Sequence, residues 1–95
     1  MPNGGNNYEV SRHSPDCMKQ VVFHNDAARE GDTVFVSNCV LAPGGKIDMH
    51  AHEDMDECFI FKGIARFIKF GKPHWLNNNS NEPMKFVCVG IRRTS

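Results

Sequence analysis

Residues 43–63 read PGGKIDMHAHEDMDECFIFKG, and the reading of this stretch decides the fold. It opens on a proline–glycine turn and carries two histidines one residue apart. An acidic cluster follows (Glu53, Asp54, Asp56, Glu57), then an apolar run ending at Gly63. Alternate residues of a strand face the same side, so the spacing puts His50 and His52 on one face. A carboxylate returning on the next strand, across a short turn, joins them in a hairpin pocket. His74 lies in a second turn-plus-strand segment, GKPHWL, and is the candidate third imidazole. Three neutral imidazoles and one carboxylate suit a divalent first-row metal, with Fe, Mn, Zn, Ni and Cu all compatible.

Around this stretch, turn residues divide the chain into short apolar runs. Met18–His24 reads as a first strand, Thr33–Ala42 as the clearest one, then Lys46–His52, Glu57–Lys62, Ile64–Phe70 and Met84–Ile91. Asn25–Asp32 has the signals of a single helical turn. Residues 1–16 are polar and rich in turn formers, and are assigned to a flexible N-terminal tail, with one domain over residues 17–95. Several short strands between Gly, Pro and Asn turns predict an all-β sandwich or barrel. Asn77–Asn79 read as a turn with positive φ, and Met49 and Met55 as packing residues.

Bulk properties narrow the function classes. The chain has 95 residues, enough for one small core. Eleven basic and eleven acidic residues cancel without forming blocks, which argues against nucleic acid or an anionic membrane as partner. No apolar run has the length of a membrane span. The four cysteines, Cys17, Cys39, Cys58 and Cys88, show no CxxC spacing, and the N-terminus lacks a secretory pattern. Free thiols in a reducing, cytoplasmic setting are the expectation. Thr33–Ala42 is apolar on both faces, which predicts a homodimer covering the outer one.

The residues around the two histidines resemble the cupin superfamily. Its first motif is G-x5-H-x-H-x(3,4)-E-x6-G, and Gly44, His50 and His52 match it directly. The latter half of its second motif resembles Gly71–Asn78, GKPHWLNN, and the likeness extends over residues 33 to 91. The resemblance implies a jelly-roll, double-stranded β-helix barrel. It also implies a metal held by His50, His52, an acidic residue and His74. Glu57 is the family's residue type but leaves five residues before Gly63; Asp56 keeps the six-residue gap. The two point to opposite faces of a regular strand, so one of them is inside. Glu57 is favoured, since Phe59 and Phe61 then share its face. These two read mainly as core and otherwise as pocket wall, and Trp75, beside His74, as pocket wall or as an edge aromatic in a dimer interface. His13 and His24 fall outside both motifs and read as surface residues.

The chain between the motifs is short. A cupin barrel carries a further hairpin there, on the order of 15–25 residues. Residues absent between about Phe67 and Lys72, a shortened variant, or a barrel completed by a partner chain would each account for the missing hairpin. Absent residues are favoured, since residues 67–71 would otherwise serve two strands at once. The resemblance implies a metal-dependent enzyme on a small organic molecule, of dioxygenase, isomerase or lyase type; a non-catalytic binding or sensing module is the other implied class. Arg66 or Lys69 is a candidate for holding an anionic ligand.

Overall fold

Between its turn residues the chain runs in short segments rich in apolar and β-branched residues, and these become strands. The structure, a computed structural model, describes residues 7–25 and 33–92. It contains β1 (Glu9–Ser11), β2 (Ser14–Asn25), β3 (Thr33–Leu41), β4 (Lys46–His50), β5 (Met55–Phe61), β6 (Ile64–Ile68), β7 (His74–Asn77) and β8 (Met84–Arg92). The helical turn expected over residues 25–32 falls almost wholly outside the described residues. No helix among the described residues is long and apolar enough to cross a membrane.

Six strands form one antiparallel sheet in the order β1-β2-β3-β8-β5-β6, and β4 pairs with β7 in a second, smaller sheet. The fold is therefore the expected all-β jelly roll, with its sheet not closed as a barrel. The core lies between the sheets. Cys17, Cys39, Leu41 and Phe86 come from the large sheet, and Ile47 from the small one. Ile47 pairs with Leu76 across β4 and β7, so the small sheet presents one apolar rung to the core. Burying such side chains contributes about 1.5–3 kcal/mol each, which sets the pairing of the two sheets. All four cysteines are free thiols.

Residues 9–16 are not a tail. β1 and the start of β2 belong to the large sheet, and Ser14 and Asp16 tie it to β4. The Ser14 hydroxyl donates to the Lys46 carbonyl at 2.6 Å, and the Lys46 N–H donates to the Asp16 carboxylate at 3.0 Å. Gly45 makes the approach possible, because a Cβ there would lie 2.8 Å from the Cβ of Asp16. The polar signature that suggested a tail is that of a hydrogen-bonded junction.

No further hairpin stands between the motifs among the described residues. A tight turn leads from β6 to β7, with the Lys72 N–H donating to the Lys69 carbonyl at 3.2 Å and Gly71 at φ +79°. Two further bonds bind this turn to the rest of the molecule. The Phe70 N–H donates to the Asp56 carboxylate at 2.8 Å, and the Gly71 N–H donates to the His52 carbonyl. Asp56 is 1% exposed, so it is a buried acceptor for a backbone donor.

Asn77–Asn79 also differ from the sequence reading. Lys62 is the one non-glycine residue with positive φ among the described residues. Asn78 is buried instead, and its amide donates to the carbonyls of Leu41, Ala42 and Glu82. Met49, expected to pack, is exposed.

Removing the carboxylate that holds the β6–β7 turn leaves a backbone donor unpartnered. Asp56→Ala is expected to cost about 1–3 kcal/mol in urea unfolding, while Asp56→Asn, which keeps an acceptor, loses less. An unchanged unfolding midpoint in the alanine variant would remove this role.

Candidate metal centre

Register places the site. His50 ends β4 and His74 begins β7, and the two are directly paired across the small sheet, with ring centroids 4.3 Å apart. His52 follows β4 after the strand has ended, two residues short of the sequence expectation. The Gly71 bond to its carbonyl anchors that bend. Glu57 comes from β5 in the large sheet, where its register partner is Gly90. The glycine makes way for Met55, whose sulfur would lie 3.1 Å from a Cβ at position 90. The ligand-capable atoms of His50, His52, Glu57 and His74 all lie within 4.8 Å of one another.

Strand alternation separates the two candidate carboxylates. Glu57 turns to the histidines and is 8% exposed, whereas Asp56 turns the other way and holds Phe70. The sheet's own register, without a bulge, makes Glu57 the inner residue.

The imidazoles are oriented for binding through Nε2. His50 Nδ1 lies 2.9 Å from the Asp48 carbonyl, and His74 Nδ1 lies 3.0 Å from the Lys72 carbonyl. A carbonyl only accepts, so each Nδ1 carries the proton and each Nε2 presents its lone pair. Glu57 Oε1 lies 3.3 Å from His52 Nε2 and 3.0 Å from His74 Nε2. Neither contact has hydrogen-bond geometry, and these three buried atoms have no partner among the described residues. Three buried polar atoms without a hydrogen bond in one place are costly. A divalent cation between them removes that cost, so the residues fit the metal that the motif implies. Burial lowers the pKa of His52, against the opposing pull of the Glu57 carboxylate, and so favours the neutral ligating form.

Two residues outside the motifs join the site. His13, read from the sequence as a surface residue, stacks face to face on His50 with centroids 4.2 Å apart and an interplanar angle of 9°. It also meets His52 edge-on at 5.1 Å. Its pKa is lowered by partial burial, then by His50 and His52. Nothing in the local pattern marks it, since the β1–β2 turn that carries it reaches the site only through the sheet. Cys88 lies on β8, and its thiol donates to Glu57 Oε2 at 3.6 Å, leaving Oε1 to face the imidazoles. Burial, and then the Glu57 charge, push this thiol's pKa upward, so it stays a donor. His24 stacks on Phe35 and takes no part, as expected.

The expected pocket residues surround a cleft of about 590 Å³ that begins at His74 and includes Phe59, Phe61 and Trp75. Arg66 also lines it. Lys69 does not; its ammonium lies 5.9 Å from the Phe70 ring centroid.

No protein-family model matches the chain, and no curated protein sequence matches it. Solved structures do. The polyketide cyclase RemF from Streptomyces resistomycificus is 17% identical and superimposes with a TM-score of 0.68, over 94% of this chain and 80% of that one. A protein from Thermus thermophilus is 23% identical with a TM-score of 0.68, over 87% and 90%. The Cupin_2 domain of an XRE-family transcriptional regulator from Enterobacter cloacae is 18% identical with a TM-score of 0.56, over 81% and 96%. The chain has the cupin fold.

The Cys88 thiol gives the carboxylate its orientation, so its loss acts on metal affinity. Cys88→Ala is expected to weaken binding about tenfold in competition with a chelator, and Cys88→Ser, still a donor, to weaken it less. Equal affinity in the alanine variant would show that the thiol does not position Glu57.

Proposed function

We propose that this cupin-fold chain holds one divalent transition metal through His50, His52, Glu57 and His74 and acts as a metal-dependent enzyme on a small organic molecule. The observation that carries the proposal is the convergence of unpartnered, buried Nε2 and Oε1 atoms of His52, His74 and Glu57 on one point beside His50. A bound metal would supply Lewis acidity or, as iron, the activation of dioxygen. The chain's own residues provide the rest. Backbone carbonyls of Asp48 and Lys72 hold the tautomers, Cys88 aims the carboxylate, and the aromatic cleft beside His74 excludes water from one side of the site.

Fold likeness does not choose between catalysis and binding. The transcriptional-regulator domain among the similar structures supports a second reading, a non-catalytic module that senses a small molecule. The donor set favours the enzyme. We propose a cytoplasmic location on the reading of the four cysteines as free thiols.

We also propose a homodimer. On β3, Val34, Val36 and Val40 are only half-buried, and Ile91 and Val89 lie beside Val34 and Val36 on β8. A second copy would cover this outer face.

Protein purified without added metal is expected to contain roughly one metal per chain by elemental analysis, with His74→Ala and Glu57→Gln losing most of it. Metal content unchanged in both variants would place the ion elsewhere. Light scattering is expected to give twice the monomer mass; the monomer mass at micromolar concentration would overturn the dimer.

A further inference from the structure

The cleft beside the metal centre has a specific chemistry of its own. Phe59, Phe61 and Trp75 line it together with His74, which is buried. Phe59 lies 5.9 Å from the His74 ring, tilted by 58°, so an aromatic surface runs directly up to the proposed metal ligand. Trp75 is 59% exposed in spite of its size. An apolar side chain left open at a concave site marks a ligand surface more than it marks a core. The cleft's size falls within the range that encloses small organic ligands.

The charged residues of the lining add the second half. Arg66 and Lys72 line the cleft, and no carboxylate does. Neither cation has an ion-pair partner within the described residues, whereas the exposed Lys46 and Arg92 each do. Arg66 is paired with Phe59 across β6 and β5, so its side chain starts from the same face as the aromatic wall. The missing hairpin leaves β6 paired with β5 alone and its face open on this side. Aromatic walls select a planar ring, and a free guanidinium and ammonium at the rim select an anion, above all a carboxylate that Arg66 can hold with two hydrogen bonds.

We infer that the cleft binds a planar aromatic carboxylate, with its ring against Phe59, Phe61 and Trp75 and its carboxylate held by Arg66 and Lys72 at the rim. The opposite edge of the ring then points to His74 and the metal centre. The inference deepens the proposed function and rests on that reading for the ring's reactive edge, but ring and anion recognition need no metal.

Trp75 is the chain's single tryptophan and reports on its own cleft. The probe is 2-naphthoate, with 2-naphthalenemethanol as its neutral counterpart, titrated against zinc-loaded and chelator-stripped protein while Trp75 emission is followed. Naphthoate is expected to quench saturably in both forms, and the alcohol to bind about tenfold more weakly. Arg66→Gln with Lys72→Gln, both exposed positions, is expected to bring naphthoate down to the alcohol's affinity and leave the alcohol's unchanged. Retained alcohol binding shows that this variant is folded. Equal affinity for acid and alcohol in the wild type would overturn the inference, as would the absence of saturable quenching in both forms. So would quenching that vanishes as the protein dimerises, since a second copy would then own the cleft. Metal content, measured on the same samples, is a separate readout. Its failure with naphthoate binding intact would remove the enzyme reading and leave the ligand class standing.

Discussion

The shortness of the connection between β6 and β7 is the constraint on which the site depends. A five-residue link must deliver His74 to a position opposite His50, and the chain makes it with a glycine at φ +79° and two backbone donors satisfied from outside the turn. The Phe70 N–H is satisfied by Asp56 and the Gly71 N–H by the His52 carbonyl. Both acceptors belong to the first motif, so the same bonds that close the turn also bring the two motifs together. The turn therefore acts as a spacer of fixed length between the large and small sheets.

The adjacent carboxylates on β5 show how one strand supplies both a structural and a chemical group. Successive side chains take opposite faces, so Asp56 and Glu57 cannot share a role. Asp56 is buried against the turn, and Glu57 is buried against the histidines. The outer carboxylate accepts a backbone N–H, and the inner one is left with an oxygen that has no partner among the described residues. Buried polar groups are normally satisfied, so the unsatisfied ones indicate where a ligand belongs. Around them, ordinary bonds do the orienting: carbonyls fix two imidazole tautomers, a thiol fixes the carboxylate, and His13 stacks over the His50 ring.

The open sheet has a functional consequence. A closed barrel would surround the metal centre with strand on every side. Here β6 is an edge, and the aromatic wall beyond His74 faces outward with the two cations Arg66 and Lys72 at its rim. The surface that lines the approach is apolar and basic, while the ligand-capable atoms of His52, Glu57 and His74 are themselves buried. Catalysis and sensing both need such an approach, which is why the donor set, and not the fold, carries the functional reading.

The sequence by itself indicated the all-β class, most of the strands, and the three histidines of the candidate site, because period-two alternation, turn residues and His-x-His spacing are local signals. It also favoured Glu57, through the face shared with Phe59 and Phe61, although the six-residue spacing to Gly63 argued for Asp56. Tertiary structure decided the rest. Ser14 and Asp16 looked like part of a tail because their partners, Lys46 and its neighbours, are distant in sequence. His13 and Cys88 carried no motif, since their roles arise from strand order: β2 and β8 flank β3, and β8 lies against β5. The tight turn between β6 and β7 was likewise not a local signal. It depended on whether Asp56 and the His52 carbonyl could receive the turn's N–H groups, and that is a property of three segments meeting in space.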